Sequence, residues 1–337
     1  MSVRNTVFTS LCLLIFAAAA VQAQSTAPAQ TTISGSDQVA ASSAAPNSVY
    51  RILPAGTQAA KKLTRNLLTN KKLTANTALP QPGFYPADLS YHGGQVIPNA
   101  EHDLVYFDCP AGPTACWGNP ETFLKDLNHS GFIHTTDQYV GTNANLRYPV
   151  GGTVAVNRTL QTNVLGQNDI LSIVHAAAVK LSIQNSYSNI VHVFLPKGID
   201  TCFDLTSICY SPDNPSSFFF CAYHGAVWFN DIGHVLFTVE PYQNVAGCQV
   251  ATPTPNGDLV DSTASVLSHE TFETITDPDL DAWWSQASLI EWGAEIGDIC
   301  EPIVNSNSQF LDPVFFVNGK KYKLQLEYSN KFHACTQ

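Results

Sequence analysis

Eight cysteines, spread between positions 109 and 335, constrain this chain more than any other feature. They are Cys109, Cys116, Cys202, Cys209, Cys221, Cys248, Cys300 and Cys335. A ninth, Cys12, lies in Met1 to Ala23, which is built like a secretory leader. Arg4 gives that stretch its positive start, and Val7 to Val21 is an apolar run too short to span a bilayer comfortably. Val21-Gln22-Ala23 offers small residues for cleavage before Gln24. Removing the leader leaves an even cysteine count, which in an exported chain reads as disulfides. No CxxC pair occurs, so disulfides are favoured over a cysteine metal site. Cys109 and Cys116 are near neighbours flanking Gly and Pro and are expected to pair. Cys300 is expected to join Cys335, and the four central cysteines to pair among themselves.

Charged residues make up only 13% of the 337, and the net charge is −11. A phosphate backbone needs a basic surface, so nucleic acid is excluded as a partner. After leader cleavage no run reaches membrane-spanning length, so no membrane association is expected. Residues 24 to 85 are rich in Ala, Ser, Thr, Gln and Pro and lack a sustained apolar period. They read as a flexible low-complexity arm. Lys61, Lys62, Arg65, Lys71 and Lys72 form a basic patch within it, read as a solvated short helix in preference to a wall- or lipid-binding element. Gly151-Gly152 lacks the further residues of a phosphate loop.

Residues 86 to 337 read as a single α+β domain. Asp103 to Cys109 reads as a strand. Asn119-Pro120 caps and opens a helix through Asn128. Asn168-Asp169 caps a second helix with Ile170, Val174, Ala177 and Leu181 on its apolar face. Ile190 to Leu195 is the next strand. This alternation predicts a mixed sheet with packed helices. Phe218 to Tyr242 is one or two strands. Asp261-Ser262 caps a helix to Ile275, which Pro278 ends. Asn318-Gly319 between alternating runs predicts a C-terminal β-hairpin.

The helix ending before Pro278 carries the chemistry. It reads His269-Glu270-x-x-Glu273, where zinc peptidases carry His-Glu-x-x-His. His269 and Glu273 share a helix face and are candidate metal ligands. Glu270 is then the general base on a metal-bound water. Asp279, ten residues after His269, is the expected third ligand. Asp277, Asp281, Glu295 and Asp298 compete for that role. One histidine with two carboxylates suits zinc with reduced Lewis acidity, and the hard oxygens also admit calcium or manganese. His224 is a further candidate, as an electrophile or substrate contact lining the cleft. Trp283, Trp284 and Trp292 are candidates for a subsite wall. The plain alternative is a satisfied core histidine beside two exposed glutamates, with Asp277, Asp279 and Asp281 serving the turn.

Several stretches together resemble the exordium-like, phosphate-induced protein family. They are Tyr91-His-Gly-Gly94, Cys221-Ala-Tyr-His-Gly225, Thr276-Asp-Pro278, Glu295-Ile-Gly-Asp-Ile-Cys300, Val317-Asn-Gly-Lys-Lys-Tyr322 and the terminal Cys335. The resemblance implies a secreted, disulfide-bonded, extracellular or wall-associated protein without established catalysis. This chain departs from the plant pattern in carrying the full His-Glu-x-x-Glu set. Two functions are therefore expected in parallel. One is a secreted zincin-like metallohydrolase, read as a peptidase, acting on a polypeptide or cell-wall substrate. The other is a non-catalytic extracellular or wall-associated protein.

Overall fold

The computed structural model describes residues 31–34, 47–51, 85, 87–158, 160, 162–202, 208–285, 295–300 and 304–337. The leader, most of the arm with its basic patch, and Trp292 lie outside these residues.

Seven strands form the main sheet: β1 (Thr31–Ser34), β2 (Asn47–Arg51), β3 (Glu101–Phe107), β4 (Val150–Asn157), β5 (Asn189–Phe194), β6 (Tyr223–Phe229) and β7 (Gly233–Glu240). Their order is β1-β4-β3-β5-β7-β6-β2. The pairings from β1 to β7 are parallel, whereas β6 runs antiparallel to both neighbours. Parallel strands are covered on both faces, and β3 from His102 to Phe107 is buried throughout. Phe218 to Tyr242 thus resolves into two strands joined as a hairpin. β1 and β2 come from the stretch read as an arm. That reading did not foresee strands there, because four or five residues carry no usable period.

Side chains alternate between two apolar layers. Val105, Phe107, Val191, Val193, Phe237 and Val239 face one layer, with Ile170, Val174 and Ala177 of α2 (Gln167–Leu181). Leu104, Tyr106, Ile190, Phe194 and Leu236 face the other. There they meet Phe123 and Leu124 of α1 (Pro120–Asn128) and Leu267, Phe272 and Ile275 of α3 (Asp258–Thr276). The expected α1 matches. Asn119 holds a positive φ of 69°, and its side chain accepts from the Thr122 N–H. For α2 the cap differs: Asp169 lies inside the first turn and reaches back to accept the Gly166 N–H at 2.8 Å.

α3 starts one turn earlier than its sequence suggested. Asp261 is inside it, and its carboxylate accepts the N–H groups of Asn256 and Lys323. From Asp261 to Thr276 every residue is buried, because a second layer of chain covers the face turned away from the sheet. Part of that layer is the hairpin Val314–Val317 and Lys320–Lys323. Its two-residue turn has φ of 49° at Asn318 and 76° at Gly319, as an Asn-Gly loop of this hand requires.

The disulfides are Cys109–Cys116, Cys202–Cys209, Cys221–Cys248 and Cys300–Cys335. Each part of the expected pairing is present. Among the described residues no helix is long and apolar enough to cross a membrane.

Candidate metal centre

Four residues apart on α3, His269 and Glu273 face the same way, and Nε2 of His269 lies 2.9 Å from Oε1 of Glu273. A short 3₁₀ turn, Asp298–Cys300, brings Asp298 to the same place, with Oδ1 3.8 Å from that nitrogen. The Asp298 N–H donates to Oε1 of Glu273 at 3.1 Å, which fixes the turn on the helix. Gly297 makes the approach feasible: a Cβ there would meet Nδ1 of His269 at 2.5 Å.

Gln325 sets the state of the imidazole. Its Nε2 donates to the Gly297 carbonyl at 2.6 Å, so its Oε1 is the atom 3.2 Å from Nδ1 of His269. Nδ1 is therefore the donor, and a neutral ring presents its Nε2 lone pair to Glu273 and Asp298. Despite the 2.9 Å separation, Nε2 makes no hydrogen bond of acceptable geometry. Two carboxylates converging on Nε2 in a dry interior call for a positive charge there, either a proton on Nε2 or a bound cation.

A second group adjoins the first. His224 on β6 points to the α3 face, as its alternate neighbour Ala226 does. Its Nδ1 is 3.3 Å from Oε2 of Glu270 and 3.5 Å from Oε2 of Glu273, and its Nε2 is 3.6 Å from Oε1 of Glu295. His224, His269, Glu270 and Glu273 are 0% exposed, so the group is sealed from solvent.

The electrostatics follow from that sealing. Burial opposes charge on His224, yet Glu270 and Glu273 push its pKa up to about 10. Burial likewise opposes charge on His269, and the Glu273 carboxylate overrides it, raising the pKa well above the ordinary range. Glu273 is held down to about 2, because His269 and His224 outweigh its burial. Burial raises Glu270, and burial with neighbouring carboxylates raises Glu295 well above the ordinary range.

Asp279, the expected third ligand, belongs to neither group. Its Oδ1 lies 2.7 Å from Nε2 of His234, and the Tyr187 hydroxyl donates to its other oxygen. The helix stops at Thr276, and Asp277 accepts the Ala282 N–H at 2.6 Å, folding the turn back toward the start of β7. Asp277 is spent on that turn, and burial raises its pKa to about 7. Asp281 is exposed. Of the competitors, Glu295 and Asp298 are the two that arrive. Trp283 donates to the Tyr139 carbonyl and packs on Tyr91, and Trp284 stacks on His92.

Sequence reasoning missed a polar row beneath α3. His102 Nδ1 is 2.8 Å from His192 Nε2, and His192 Nδ1 is 2.9 Å from the Thr238 hydroxyl. That hydroxyl donates to Glu240 at 2.8 Å. The signal was present: His192 interrupts an otherwise apolar strand on the face that Ile190 and Phe194 share. Gln325 was also missed, since nothing local marks it as the partner of a histidine 56 positions away. Comparison of the chain with protein-family models, with curated proteins and with solved structures finds no match.

Proposed function

We propose that this chain is an exported, zincin-like metallohydrolase, a peptidase whose ion is held by His269, Glu273 and Asp298. One observation carries the reading: Nε2 of His269 faces two carboxylates in a dry interior without hydrogen-bond geometry to either. The donor set of one imidazole and two carboxylates fits zinc, and its oxygens also admit manganese or calcium. A divalent ion bound there supplies Lewis acidity, making water easier to deprotonate near neutral pH. Glu270 follows His269 on the helix, and its Oε1 has no hydrogen-bond partner among the described residues. That oxygen is free to take a proton. Gln325 keeps the His269 ring in its donor state. The leader and the four disulfides support export.

Complete closure of the site favours a second reading. In it the chain is a non-catalytic, wall-associated protein of the exordium type, and the ion is a structural clamp. One experiment separates the two. Full-length protein expressed with zinc is purified without reductant, then assayed for metal and for hydrolysis of unfolded polypeptide. The hydrolase reading expects bound zinc, activity, and loss of activity in Glu270→Gln with the His269 ion retained. Bound zinc without turnover, with a melting temperature that falls on chelation, supports the clamp. Absence of metal overturns both. Asp298→Asn is expected to lower zinc affinity by 10- to 100-fold or more, on the order of a lost ligand contact, and Asp279→Asn to leave it unchanged.

A further inference from the structure

One ion at His269 leaves half of the buried cluster unexplained. Glu273 presents its two oxygens to different partners: Oε1 to His269 and Asp298, Oε2 to His224. His224, Glu270 and Glu273 form a triad of their own, with donor atoms 3.3 and 3.5 Å from the His224 nitrogen. Ligands sharing a small divalent ion at about 2.0–2.2 Å stand about 3.0–3.5 Å apart. Oε1 of Glu270, Oε2 of Glu273 and both oxygens of Glu295 are buried without a hydrogen-bond partner.

Each histidine turns one nitrogen to carboxylates of the cluster. His269 turns Nε2 to its carboxylates and Nδ1 to the Gln325 acceptor. His224 turns Nδ1 to its carboxylates, while Oε1 of Glu295 stands 3.6 Å from its Nε2, beyond hydrogen-bond range. An imidazole that ligates a cation commonly gives its other nitrogen to an orienting carboxylate or carbonyl.

We infer that the cluster holds two divalent cations bridged by Glu273, the second bound by His224, Glu270 and Glu273. This rests on the first site proposed above. Glu270 then serves the second ion through Oε2 and keeps Oε1 for proton transfer. The ligand class is a borderline or hard divalent cation, zinc or manganese.

The test is titration of the metal-free full-length protein with Mn2+, read by elemental analysis and by electron paramagnetic resonance. The expected result is about two Mn2+ per chain with a spin-coupled spectrum, as a carboxylate-bridged pair gives. His224→Gln and Glu270→Gln should each reduce this to about one, with an uncoupled six-line spectrum. About one uncoupled Mn2+ in the wild type overturns the second position and leaves the first site standing. His224 is then an imidazolium paired with Glu270 and Glu273. Binding of no Mn2+ and no Zn2+ overturns both. The wild-type measurement decides the matter even if a variant fails to fold.

Discussion

Gly297 shows how closely the site is built. Alanine at this position would put a methyl carbon 2.5 Å from a ring nitrogen of His269. The turn carrying Asp298 must then lift off α3, or the ring must rotate away from Glu273. Overpacking of this kind costs about 1–3 kcal/mol. Gly297→Ala is therefore expected to lower the urea midpoint and to weaken zinc binding together, measured by denaturation and by metal titration. An unchanged zinc affinity would show that the approach of the turn does not matter. The sequence made His269 and Glu273 legible because helical spacing is local. It ranked Asp279 ahead of Asp298 as third ligand because a ten-residue offset cannot show which way a turn folds. The turn carrying Asp298 is held by Gln325 at the Gly297 carbonyl and by Glu273 at the Asp298 N–H, and neither contact leaves a local trace.

The polar row across β3, β5 and β7 gives α3 an uncommon floor. His102 is 1% exposed and hydrogen-bonded to His192, and burial lowers its pKa from 6.5 to about 3. Burial also lowers His192 well below its ordinary value, with His102 adding to the effect. A depressed histidine leaves the folded state binding fewer protons than the unfolded chain between those values. Stability is therefore lost as pH falls below 6.5, by up to about 1.4 kcal/mol per pH unit per histidine, until the folded form is protonated. Titratable Glu240 closes the row through Thr238. The variant His102→Gln should lose less stability than wild type between pH 6.5 and 4, judged by urea midpoints. An identical pH slope would show that His102 is not the sensor. Strands β3, β5 and the β6–β7 pair were legible from their apolar runs, and so was the hairpin from Asn318-Gly319, whereas β1, β2 and β4 were not read from the sequence. The strand order was not, because parallel pairing joins segments far apart in sequence and leaves no periodic signature.

Across the whole molecule the disulfides frame the site. Cys221–Cys248 anchors the chain three residues before His224, and Cys300–Cys335 anchors it two residues after Asp298. Loops of 27 and 35 residues correspond to about 3–4 kcal/mol each in the chain-entropy account. The double substitution Cys300→Ser with Cys335→Ser is expected to lower stability by about that amount. It should also release zinc more readily, whereas removal of Cys202–Cys209 should affect stability alone. Equal zinc affinity in the two double variants would separate the disulfide from the metal. Pairing was readable because an even count and short spacings leave few choices. The framing of the site was not, since it depends on which elements the bridges join.

The bridge from the Asp298 turn to the C-terminal strand sets an order of events during maturation. A chain with free thiols has nothing covalent holding its last ligand-bearing turn against α3. Its thiols compete for zinc as well. On the proposed reading, oxidation is expected to precede loading. Refolding with zinc in the presence of reductant should give a protein that holds the ion weakly, and one oxidised before zinc is added should hold it tightly. On the proposed metal reading, an exported chain would load its ion only after leaving the reducing cytosol.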